Sequence, residues 1–167
     1  LLDRGAEGIF LQGAYQSPGS ARGPLSAWVW AKKLWDPERK VGALVRDFTD
    51  GYFESAAPPL RAYNELLDRV HEEQFDQFVA EYESGHEIRY NIRYKPDAFL
   101  DADFLSAASA LFEEAERLAS SANILARVKL AKLSILYAKL TLGPGFTNDD
   151  YAVLIGEFET IARLEDV

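Results

Sequence analysis

The chain has 167 residues, of which 48% are hydrophobic and 13% aromatic, so it has the length of one domain and can bury a substantial core. Its net charge of -9 argues against nucleic acid as a partner, because phosphate binding needs clustered Lys and Arg. The absence of cysteine excludes a disulfide framework, a thiol nucleophile and a thiolate metal site, and it leaves the compartment open. No apolar run is long enough to cross a bilayer, so we predict no membrane partner.

The first residues predict a short strand. Gly8-Ile9-Phe10-Leu11-Gln12-Gly13 is an apolar run bounded by glycines, which is typical of a buried strand. A single strand leaves its backbone groups unpaired, so either partner strands lie outside this chain or the segment is irregular. The chain also starts at Leu1 without a methionine, which we interpret as a piece of a longer protein. We therefore expect a remnant strand and loop over residues 1–24 and an α-helical module over residues 25–167.

Apolar residues at three- and four-residue spacing predict about six helices in the module. The first, over residues 25–35, contains all three tryptophans of the chain. Asp36-Pro37 predicts that it stops abruptly, with Asp36 as the N-cap and Pro37 as the first residue of a second helix that ends near Gly51. The remaining helices are predicted over residues 56–82, from Asp101 or Asp103 to residue 120, and over residues 123–142. The last is predicted to follow a capping box in which Thr147 is the cap and Asp150 stands three residues on. The expected fold is a mainly α helical bundle with an N-terminal strand or extended remnant.

The same spacing predicts which side chains are buried. Trp28 and Trp35 are seven residues apart and share a helix face, so we expect both inside the bundle. Trp30 points elsewhere and is a candidate contact to a missing domain. The fifth helix is apolar almost all round and should be central, since its lysines fall on one narrow line. The last helix should direct these residues inward: Tyr151, Leu154, Ile155, Phe158 and Ile161.

Residues 86–99 are the least regular part of the chain. Ile88, Tyr90, Ile92 and Tyr94 alternate with polar residues, which is strand-like. Because no second strand lies beside them in sequence, an extended loop packed on the helices fits equally well. Tyr90 and Tyr94 join Trp30 as candidate interface residues.

No motif in the chain predicts catalysis. The only histidines are His71 and His86, and Phe75 stands where the His-Glu-x-x-His zinc signature needs its second histidine. We interpret His71 as part of a solvated helix surface. There is no nucleophile elbow, phosphate loop or dinucleotide fingerprint. We therefore predict no catalytic residue, no metal site and no cofactor in this chain.

Gln12, Tyr15 and Gln16 are the residues best suited to contact a sugar. They follow the predicted strand, where a barrel or open sheet places its functional loop. Amide and phenol groups there could hydrogen-bond sugar hydroxyls, while the tyrosine ring offers an apolar platform. An ordinary loop that packs on the following helix is the alternative.

Several motifs together resemble a known family. They are Gly8-Ile9-Phe10-x-Gln12-Gly13, Ala31-Lys32-x-Leu34-Trp35-Asp36-Pro37, Phe48-x-x-Gly51-Tyr52-Phe53-x-x-Ala56-Ala57-Pro58, and the later Arg127-Val128 with Leu133-x-x-Leu136-Tyr137-x-x-Leu140. These residues resemble the C-terminal part of large bacterial proteins, mostly of unassigned function. Those proteins have a glycoside-hydrolase-like barrel related to α-glucuronidases and β-hexosaminidases.

The resemblance implies that Gly8 to Gly13 is the last strand of a (β/α)₈ barrel and that the rest is a helical C-terminal module. The acid and base carboxylates of the related hydrolases lie on earlier strands, which this chain lacks. The leading hypothesis is thus a non-catalytic module that supports a barrel within a longer polypeptide, with carbohydrate as a partner of the rim residues. The alternatives are a free-standing α-helical protein-interaction module and a small enzyme in its own right.

Overall fold

The computed structural model describes residues 5, 8–10, 22–83, 100–143 and 149–163, and in the segment 22–83 the side chains are described up to Glu73. These residues form a mainly α fold and contain no strand. Its helices are α1 (Gly23–Trp35), α2 (Val41–Phe53), a 3₁₀ helix (Glu54–Ala56), α3 (Ala57–Glu83), α4 (Ala102–Leu118), α5 (Ala122–Leu142) and α6 (Tyr151–Ala162). Of the predicted strand, residues 8–10 have no regular structure and the rest lies outside the described residues, as does the strand-like stretch 86–99.

Capping side chains fix where the later helices begin. The Asp101 carboxylate accepts a hydrogen bond from the Phe104 backbone N–H at 2.7 Å, which confirms the predicted start of α4. Ser121 caps α5 in the same way, through the Ile124 N–H at 3.2 Å. Asp150 is itself the N-cap of α6, since it accepts from the Ala152 N–H at 2.8 Å. The predicted capping box placed Asp150 in the first turn of this helix, and that placement was wrong. Thr147, its predicted cap, lies outside the described residues.

The predicted joint between α1 and α2 was wrong in one respect. Helix α1 ends at Trp35 as expected, but Pro37 lies in a turn and α2 begins only at Val41. The Asp36 carboxylate accepts from the Glu38 N–H at 3.2 Å, and Lys33 Nζ donates to the Pro37 and Arg39 carbonyls. These bonds stabilise a local turn that competes with an immediate helix start.

The end of α2 also differs from the prediction. The helix continues through Gly51 to Phe53, because tertiary packing outweighs the modest helical penalty of one glycine. The chain changes direction instead at Glu54, where φ is +47°. Ser55 then ties this corner to the α4–α5 link, since its hydroxyl donates to the Leu118 carbonyl at 2.7 Å and accepts from the Ser120 N–H at 3.1 Å.

The core lies where α3, α4 and α5 meet below the 3₁₀ helix. Phe112 of α4 is fully buried at its centre and packs on Tyr63 of α3, with 4.8 Å between ring centroids. A second cluster, between α5 and α6, contains Leu133, Leu136, Leu154 and Ile161. Helix α5 contacts α2, α4 and α6, which confirms its predicted central position.

The predictions that the side chains of Ile155 and Trp35 are buried were wrong. Ile155 is 45% exposed, because among the described helices α6 packs mainly on α5 and needs a single apolar stripe. Trp35 is 91% exposed, since α2 is the main neighbour of α1 and does not cover its last turn. Trp28 is half-buried against Phe48 at 6.2 Å, and its indole N–H is buried without a hydrogen-bond acceptor in the described part of the chain.

Ion pairs bind α5 to its neighbours. Lys132 Nζ lies 2.9 Å from Glu116 Oε1 of α4 and 2.6 Å from Glu157 Oε1 of α6. Burial lowers the pKa of Lys132, but the two glutamates outweigh this and hold it above its ordinary value. Lys139 is only 8% exposed, and its Nζ lies 2.6 Å from Asp149 Oδ2.

We expect Lys132→Met to lower the free energy of unfolding by about 1–3 kcal/mol, because the variant leaves Glu116 and Glu157 facing each other without a cation. Urea unfolding followed by circular dichroism would measure the loss. Lys129→Met, three residues earlier on α5, is the matched control, because Lys129 has no ion pair in the described part of the chain. Equal losses in the two variants would show that the ion pairs contribute nothing specific.

Candidate functional site

A cavity of about 100 Å³ lies where α1 to α5 converge. Its floor is formed by the buried side chains of Thr49, Leu60 and Phe112. Its rim includes Arg22 and Pro24, at the start of α1, where Arg22 is half-buried and Pro24 is exposed. The cavity is therefore a pocket that deepens from the surface toward the core.

Aromatic rings line much of this pocket. Phe48 and Tyr52 of α2 are stacked with centroids 5.0 Å apart, and Phe53 meets Tyr52 edge-on at 4.9 Å. Tyr63 and Phe112 supply the rings from α3 and α4. Flat apolar walls of this kind suit a planar apolar group.

Arg127 brings a positive charge to the pocket from α5. Its Nη1 donates to the Tyr52 carbonyl at 2.8 Å, and its guanidinium carbon lies 4.6 Å from the centre of the Tyr52 ring. Within the described residues it pairs with no carboxylate. The other arginine, Arg22, is neutralised by Asp68 of α3 at 2.6 Å. Among the described residues, the pocket thus carries one arginine that no carboxylate neutralises.

Asn64 of α3 brings an amide to the pocket lining. It is only 8% exposed, and its side chain makes no hydrogen bond within the described residues. By contrast, the buried Thr49 hydroxyl donates to the Val45 carbonyl of its own helix at 2.7 Å. The Asn64 amide therefore offers free donors and an acceptor to a polar group in the pocket.

The pocket also perturbs Tyr63. Burial raises the pKa of its phenol above the ordinary value of 10.0, and a hydrogen bond with Ser134 and the charge of Arg22 offset part of this effect. The phenol is therefore held neutral and serves as a hydrogen-bonding group in an apolar wall.

A second feature is an exposed apolar surface on the opposite end of α1. We define the α1 surface as Trp30, Leu34, Trp35 and Val41, whose side chains are between 46% and 91% exposed. Trp30 and Leu34 are four residues apart and lie on the same side of the helix. Trp35 and Val41 extend the surface across the turn to the start of α2.

The sequence-predicted site residues are only partly placed. Gln12, Tyr15, Gln16, Tyr90 and Tyr94 lie outside the described residues, so their roles stay predictions. Trp30 is exposed on α1, and its contact to another domain stays a prediction. His71 lies on the exposed surface of α3, as predicted.

The pocket residues were not singled out from the sequence. Arg22, Asn64 and Arg127 come from three separate segments, and only the fold brings them together. One signal was available, because Asn64 follows Leu60 by four residues and so places an amide on the inward stripe of α3. In the described segments, no three His, Asp or Glu side chains are grouped as a metal ion would require, and no helix is long and apolar enough to cross a membrane.

Comparison with known proteins adds one match. Residues 1–65 match a protein-family model described as "Domain of unknown function (DUF4838)". The matched range contains the α1 surface, α2 and the beginning of α3, including Tyr63 and Asn64. No curated protein and no solved structure matches the chain.

The raised pKa of Tyr63 predicts a pH-dependent stability. The unfolded chain loses this proton near pH 10 whereas the folded chain retains it, so the free energy of unfolding should fall as the pH rises above about 10. We expect Tyr63→Phe to make this fall shallower. Denaturant midpoints measured at intervals across the alkaline range would show the difference in slope.

Tyr137→Phe is the control for this experiment, because Tyr137 is exposed on α5. If Tyr137→Phe and Tyr63→Phe changed the alkaline slope equally, burial of Tyr63 would not be its cause.

Proposed function

We propose that this chain is a non-catalytic helical module of a glycoside-hydrolase-like protein, and that its α1 surface packs against a barrel domain of the same polypeptide. The observation that carries the proposal is the exposure of Trp30, Leu34, Trp35 and Val41 at one end of the bundle. Large apolar side chains exposed to water are unfavourable, and groups of them typically mark contact sites.

The composition of the α1 surface supports a protein contact. Tryptophan contributes a large apolar area with few rotatable bonds, and it is enriched among the residues that dominate binding energy at interfaces. Trp35 also stands directly before the turn of residues 36–40, which the Asp36 and Lys33 hydrogen bonds stabilise. The surface is therefore presented on a locally ordered support.

The glycoside-hydrolase relationship rests on the sequence resemblance. Its sharpest motifs lie within residues 8–58, which the family-model match over residues 1–65 contains, and the motifs of residues 127–140 lie beyond that match. In this proposal, the segment before α1 belongs to the barrel, and Gln12, Tyr15 and Gln16 stand at the rim of its carbohydrate site. The helical module then supports the barrel from the side of α1.

Thiol accessibility tests the proposed contact, since the chain contains no cysteine. Leu34→Cys places a thiol on the α1 surface, and Val153→Cys places one on the exposed side of α6. Alkylation of each would be followed by peptide mass spectrometry in this chain and in the longer polypeptide that includes the upstream coding region. In this chain both thiols should react fast.

In the longer polypeptide, alkylation at Leu34→Cys should slow by at least about tenfold, which needs only about 1.4 kcal/mol of protection. The rate at Val153→Cys should not change. Equal reactivity of the two thiols would overturn the packing proposal. An upstream region that encodes no barrel would instead favour the free-standing protein-interaction module.

A further inference from the structure

We infer that the pocket between α1 and α5 binds a small monocarboxylate with a flat apolar body, such as an aryl carboxylate. This site is separate from the α1 surface, and it does not depend on the function proposed above. The inference rests on the shape of the pocket, on Arg127, which pairs with no carboxylate of the described residues, and on the Asn64 amide that lines the same pocket.

The size and walls of the pocket fit a single ring. Its volume of about 100 Å³ is of the same order as an engineered protein cavity of about 150 Å³ that binds benzene. The rings of Phe48, Tyr52, Tyr63 and Phe112 border the space, and flat aromatic walls favour stacking or edge-on contact with a planar guest. A sugar ring, which needs a partner for each hydroxyl, fits these walls poorly.

Arg127 supplies the recognition of negative charge. Its guanidinium has five N–H donors, and one of them is used by the Tyr52 carbonyl. The remaining donors form a planar fork that matches the two oxygens of a carboxylate. Because no carboxylate of the described residues neutralises Arg127, a ligand carboxylate would complete the pair.

Asn64 supplies a second polar contact within the same pocket. Its amide makes no hydrogen bond in the described part of the chain, and its NH₂ group can donate to a ligand oxygen.

The charge balance favours a monoanion. Among the pocket-lining residues that the structure describes, the cations are Arg22 and Arg127, and Asp68 already neutralises Arg22 at 2.6 Å. One net positive charge then remains for the ligand. A dianion such as phosphate would bring one negative charge more than the pocket compensates.

Titration with benzoate tests the inference, with benzamide as its uncharged analogue of nearly the same shape. We expect benzoate to cause saturable shifts in the ¹H–¹⁵N NMR signals of the Asn64 side-chain amide and the Arg127 Nε–H. Benzamide should bind at least about tenfold more weakly, because it lacks the charge that Arg127 pairs with. Equal affinity for the two compounds, shifts that do not saturate, or equal binding of inorganic phosphate would overturn the inference.

Two variants locate the site. Arg127→Gln should weaken benzoate binding by at least about tenfold, while Arg117→Gln, on the exposed side of α4, should leave it unchanged. Because Arg127 also contacts Tyr52, its loss could affect folding, so Asn64→Asp provides a nearly isosteric second variant. Its carboxylate adds a negative charge to the pocket lining, so it should weaken benzoate binding by at least about tenfold while the circular dichroism spectrum stays unchanged. Unaltered benzoate affinity in folded Asn64→Asp would place the ligand elsewhere.

Discussion

Helix α5 is enclosed by α2, α4 and α6, and it carries Lys132 and Lys139 into this partly dehydrated setting. A buried ammonium group is costly unless acidic partners meet it, so packing on α5 is favoured in positions that bring Glu116, Glu157 and Asp149 to the lysines. Apolar packing alone discriminates less between positions of one helix along another. The lysines therefore help to set how α4, α5 and α6 are arranged around the core.

Features that depend on neighbouring residues in the sequence, such as the start of α4, were predicted correctly. Features that depend on tertiary packing, such as the burial of Trp35, were not. Asp101 begins α4 because a capping carboxylate acts on N–H groups only a few residues away, which makes the signal readable in the sequence. Trp35 shares a face with Trp28, yet its burial depends on whether another helix reaches that turn, and none of the described helices covers it. The prediction that α2 starts at Pro37 was wrong for a related reason. Hydrogen bonds of the Lys33 and Asp36 side chains favour a turn at the same residues.

The pocket shows the same division between local and tertiary information. Asn64 could be recognised as a polar residue on an inward stripe, since helical periodicity alone places it there. Nothing in the sequence predicted that Arg127, 63 positions later, borders the same space or that Asp68 would neutralise Arg22 and leave Arg127 unpaired. The mainly α class could therefore be predicted from the sequence. The residues that line the pocket could be recognised only from the packed helices.

The weak anchoring of α1 has a consequence for motion. Leu25 is its only buried residue, α2 is its main neighbour, and the buried Trp28 indole N–H has no acceptor among the described residues. Amide hydrogen exchange should therefore divide the bundle into cooperative units, with α1 opening by itself and α5 exchanging only when the whole core unfolds. A partner that covers α1 would slow the hydrogen exchange of α1 toward the rate of the core. Its binding would therefore rigidify one helix and change the others little.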